Sequence, residues 1–82
     1  MTQAIADALL ETLASVELHA GEEFDLDTSI GVLEVAAALL QEAGADERRL
    51  LIARAAALAE QTPQPDKKEF LASIGENLGI AT

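Results

Sequence analysis

Apolar residues return along most of this chain every three or four positions, the period of a helix face and not the alternation of a strand. Thr2 suits a helix N-cap, and Ile5, Leu9, Leu13 and Val16 follow it as one stripe. Ala6 and Leu10 lie beside that stripe, with Asp7, Glu11 and Ser15 on the opposite face. The pattern predicts an amphipathic first helix running to about His19, stopped at Gly21, where only glycine takes a left-handed conformation cheaply. The period then lapses over residues 20–28. Within that linker Phe24 and Leu26 are expected to tuck into the core and pin the loop.

A second helix is expected to start near Asp27, Thr28 or Ser29, any of which suits a cap, and to run to about Ala43. Ile30, Val32, Leu33, Val35, three alanines, Leu39 and Leu40 make it apolar on most sides, which predicts a central position or a subunit interface. Gly44 ends it, and Asp46 is placed to cap a third helix over Glu47 to Gln61, with Leu51, Ala55 and Leu58 as its stripe. Thr62-Pro63-Gln64-Pro65 stops the third helix. Asp66 and Glu69 have capping-box spacing for a short fourth helix that presents Phe70, Leu71, Ile74 and Leu78. Gly79 is its expected terminator, with Ile80 folding back toward Ile74. Short connections imply antiparallel neighbours. The predicted fold is therefore all-α, a small up-and-down bundle of four helices forming a single helical domain over residues 1–82. Its expected core is Leu9, Leu13, Val16, Leu33, Leu39, Leu40, Leu51, Leu58, Phe70 and Ile74.

Composition supports that class: the apolar half of the 82 residues is mostly Ala and Leu, and the only aromatic rings besides His19 are Phe24 and Phe70. With no cysteine, disulfides and thiolate metal sites are excluded, which suits a cytoplasmic protein. The longest unbroken apolar run, Val35 to Leu40, is far too short to span a bilayer. No basic stretch precedes an apolar block at the N-terminus, so a signal peptide is not expected. A chain this small has a core of marginal size. Together with the broad apolar surface of the second helix, that predicts self-association as a homodimer.

Charge changes the picture more. The net charge is −10, and residues 1–47 contain eleven of the fifteen acids without a single Lys or Arg. Direct binding to nucleic acid or to anionic lipid is disfavoured by such a field. A protein partner with a basic surface is favoured, and would be steered by long-range attraction. The densest acids, Glu17, Glu22, Glu23, Asp25 and Asp27, are expected to project together from one end of the bundle. Arg48 and Arg49 open the third helix, where the helix dipole disfavours cations, which suggests that they meet acids from another segment or from a partner. With Arg54 they make a possible anion clamp, but pairing with Asp46, Glu47 or Glu42 is the simpler outcome.

Chemistry has few footholds. His19 is the only histidine, and its simplest role is to face the C-terminal dipole of the first helix. An EF-hand loop beginning at Asp25 fails where Ile30 replaces the required Gly and Ala36 the required Glu, so no metal is expected. The stretch Thr28-Ser29-Ile30-Gly31-Val32-Leu33-Glu34-Val35 resembles the start of the second helix in acyl and peptidyl carrier proteins. In that family a Ser here carries phosphopantetheine, which implies modification at Ser29, with Ile30, Glu34 and Val35 in the family's apolar and Glu-apolar places. The resemblance is confined to this stretch, and Thr28 stands where the family has Asp or Gly-His. The other reading of Ser29 is a helix N-cap. The expected function is non-enzymatic, without cofactor: an acidic helical protein that binds another protein through Glu17, Glu22, Glu23, Asp25, Asp27, Arg48 and Arg49. The carrier-like role and a self-assembling structural role are the alternatives.

Overall fold

The helical period of the sequence becomes five helices in the computed structural model, which describes residues 1–80: α1 (Gln3–Leu18), α2 (Leu26–Gln41), α3 (Ala45–Gln61), α4 (Pro65–Ala72) and α5 (Ile74–Asn77). The expected all-α bundle forms, and α5 is the last turn of the expected fourth helix, broken off at Ser73. Two ion pairs fix the direction of α3. The Met1 ammonium lies 3.3 Å from Glu47, and Asp7 lies 2.9 Å from Arg54, so α1 and α3 advance together. α2 must return between them, from the end of α1 to the start of α3. α4 and α5 run back in turn, because the carbonyl of Leu78 accepts a 3.2 Å hydrogen bond from Gln41 at the end of α2.

Several ends form as the sequence predicts. Thr2 Oγ1 accepts from the Ile5 amide at 3.2 Å. Gly79 adopts φ +66, and Ile80 N donates to Gly75 O at 2.9 Å, a Schellman closure that delivers Ile80 to the core. Others shift. Asp25, ahead of the expected residues, caps α2 by accepting from Thr28 N at 3.2 Å. Gly44, not Asp46, occupies the N-cap of α3. Pro65 takes the first position of α4 after Gln64, so Asp66 falls inside the helix and the expected Asp66–Glu69 capping box does not form.

The core lies among α1, α3, α4 and α5. Its fully buried members include Ala6, Leu10, Leu51, Ala55, Leu71 and Ile80, with Leu13, Phe70, Ile74 and Leu78 beside them. The α1 stripe is rotated from the one expected: Ala6, Leu10, Leu13 and Ala14 face inward, and Ile5 is exposed. Alanines on both α1 and α3 let the two helices approach closely. Leu9, Leu33, Leu40 and Leu58 pack around the edge of this core.

α2 does not take the central position, one of its two expected places. It lies against α1, turning Leu33, Ala36, Ala37 and Leu40 toward the core. Its only fully buried residue is Ser29. Leu39, expected inside, is 63 % exposed and lies to the flank of that face. Phe24 and Leu26 also stay outside. The turn closes on itself through Gly21 N donating to Phe24 O and Phe24 N to His19 O, so Phe24 lies near the His19 ring and not beneath the bundle. None of these helices is long and apolar enough to cross a membrane.

Candidate partner-binding surface

The turn between α1 and α2 gathers the acids the sequence singled out. Glu17 stands in the last turn of α1, Glu22 and Glu23 on the turn itself, and Asp25 and Asp27 at the start of α2. All five are exposed. They share the end of the bundle where α1 and α3 finish and α2 and α4 begin. Gly21, at φ +81, permits the tight reversal that puts them there. Asp25 and Asp27 also have a local role, since an acid at the positive start of a helix is favourable.

The fold adds acids that the sequence did not associate with this end. Glu17 borders a groove of about 400 Å³ whose far wall carries Asp66 and Glu69 of α4, with Phe70 and Asn77 also lining it. A second groove of about 260 Å³ continues from it past Glu17 and Phe70 to Leu33. Nothing in the spacing of Asp66 and Glu69 marks this, because it depends on α4 folding back across α1. The groove is wide open to solvent.

The arginines do not join the acids. Arg48 and Arg49 begin α3 at the opposite end of the bundle, so the structure does not bring them together with Glu17 to Asp27. Arg49 is exposed and paired with Asp46 one turn earlier. Arg48 is half-buried, and its Nε has no hydrogen-bond partner. Arg54 forms a forked pair with Asp7, so the three arginines make no common anion clamp. That hydrogen bond holds the Asp7 carboxyl below its ordinary range and raises the Arg54 guanidinium above its own.

Ser29 is the other correction. It is one turn inside α2 and does not cap it, and it is 1 % exposed with no partner for its Oγ. A phosphopantetheine group attached there would have to pass through the seam that seats α2, so this burial opposes the implication of the carrier resemblance. His19 occupies the C-cap of α1, its backbone N–H donating to the Ser15 and Glu17 carbonyls. Among the described residues no group of three or more acids and histidines converges to hold a metal ion. Comparison with protein-family models, with curated proteins and with solved structures gave no match to this chain.

Proposed function

We propose that the chain is a non-enzymatic binding module, a small acidic helical protein that docks on a basic surface of another protein. It would serve there as an adaptor, an antagonist or an acidic mimic of nucleic acid. One observation carries this. Among the described residues Glu17, Glu22, Glu23 and Asp27 are exposed and enter no ion pair, whereas Asp7, Glu11, Asp46 and Glu47 are each matched to a cation. Glu34, Glu42, Glu60 and Glu76 are also exposed without an ion pair, but they are spread along the chain, whereas the bare acids of the α1–α2 turn stand together at one end. Bare like charges repel in the free protein and attract a basic surface from a distance. Asp66 and Glu69 widen the same field across the groove beside Glu17. No cofactor enters this reading, and a nucleic acid or an anionic membrane would be repelled.

The test is affinity capture from the native host at low salt, with the captured protein then offered to a variant carrying Glu22→Gln, Glu23→Gln and Asp27→Asn. Asp25 is kept because it caps α2. Exposed charges of this kind act mainly on the association rate. The variant should fold normally and associate more slowly. An unchanged rate would remove the acidic end from the contact.

A further inference from the structure

α2 carries two apolar faces, and the fold covers only one of them. On the uncovered side Val32, Val35 and Leu39 stand in one line, with Val35 60 % and Leu39 63 % exposed. The line extends further. Asp25, Thr28, Val32, Val35, Leu39 and Glu42 follow one another at alternating steps of three and four residues. That is the spacing of a helix–helix seam, with β-branched and leucine side chains at its centre and an acid at each end. Asp25 and Glu42 are the two caps of α2 and are exposed.

Gly31 adds an independent observation. It sits within α2 with no positive φ, and a methyl group there would meet nothing within 4 Å. Glycine inside a helix is less stable than alanine. No packing in this chain requires the missing side chain. It leaves a bare strip of backbone one turn from Val35, open to close approach from outside.

The charges at the ends of the line select the occupant. A second copy would set acid on acid in either orientation, Asp25 against Glu42 if antiparallel and Asp25 against Asp25 if parallel. From Gly21 to Ala43 the other charges are Glu22, Glu23, Asp27 and Glu34, with no Lys or Arg to relieve them. Resting on the reading that the partner is basic, we infer that the outer face of α2 receives an amphipathic helix of that partner. Its apolar side chains seat on Val32, Val35 and Leu39, its backbone closes on Gly31, and its Lys or Arg residues meet Asp25 and Glu42.

Two synthetic peptides test this, each as long as the 16 residues of α2 and built from the same Lys and Leu content. One carries its leucines at alternating three- and four-residue steps, and the other has the same residues scrambled. Binding is read by fluorescence anisotropy and by amide shifts of the labelled protein. The patterned peptide should bind at least about tenfold tighter, the effect of burying a few such side chains. It should shift amides between Gly31 and Leu39. Val35→Asn with Leu39→Gln, both at exposed positions, should erase the difference. Gly31→Ala should raise the Tm of the free protein and weaken binding of the patterned peptide. Equal binding of both peptides, unaffected by the double variant, would overturn the α2 site and leave the basic-partner reading standing. Absence of binding by either peptide at low salt would overturn both. A dimer in sedimentation that the double variant dissolves would make the occupant a second copy and overturn the proposal.

Discussion

Arg54 of α3 holds Asp7 of α1 in a forked pair, Nε to Oδ1 at 2.9 Å and Nη2 to Oδ2 at 3.1 Å. The pair fixes the register of the two helices that share most of the core. Because the hydrogen bond lowers the Asp7 pKa in the folded state, its stabilisation is complete above the ordinary carboxylate range, about 4, and is lost as pH falls through the depressed value. Asp7→Asn should therefore lower the Tm at neutral pH, and the gap from the parent should close in acid. Melting curves at a series of pH values check this. A gap that stays constant to about pH 2 would mean that the carboxylate charge contributes nothing.

Two leucines on neighbouring helices should respond oppositely to truncation. Leu51 is fully buried, and Leu51→Ala should cost about 2–5 kcal/mol. Leu39 faces solvent, and Leu39→Ala should stay within about 0.5 kcal/mol. Urea denaturation of both variants measures this directly. Similar losses at the two sites would place α2 in the core after all.

Ser29→Ala should stabilise the protein by about 1 kcal/mol. It removes a buried hydroxyl that has no partner, and it places a better helix former within α2. Thermal unfolding of the variant reads the sign. A loss of stability would reveal that the hydroxyl does have an acceptor.

Gly79→Ala should destabilise by about 1 kcal/mol or more. The position has φ +66, and a methyl group would come within 3.0 Å of Gln41 Nε2. That amide is the donor that ties the end of α2 to the Leu78 carbonyl. Hydrogen exchange at the end of α2 should accelerate together with the loss of stability.

The helices were legible because each of the long ones carries its own period and punctuation. Thr2, Gly79 and the Pro63–Pro65 segment act within a few residues of themselves, so local chemistry decides them. The place of α2 is not legible in the same way, because periodicity reports that a face is apolar, not which of two apolar faces the rest of the chain covers. Leu33 and Leu39 look alike in sequence, and only the seating of α2 on α1 separates them. The exposure of Phe24 has a related reason: a short turn that bonds to itself has no slack to carry its ring inward. The acids from Glu17 to Asp27 were legible as a run, and the turn brings them to one end. The separation of Arg48 and Arg49 from them follows from the parallel course of α1 and α3, which no local pattern encodes.

The most direct test of the acidic end is its association rate with a basic probe across salt concentrations. Stopped-flow mixing with fluorescent polylysine should show a rate that falls as salt shortens the range of exposed charges, about 8–10 Å at physiological strength. The variant with Glu22→Gln, Glu23→Gln and Asp27→Asn should be slower and less salt-dependent. A control with Glu34→Gln, Asp46→Asn and Glu76→Gln removes the same charge from exposed positions away from that end, and it should remain close to the parent. Equal slowing of both variants would mean that net charge alone draws the probe, contradicting a binding surface at the α1–α2 end.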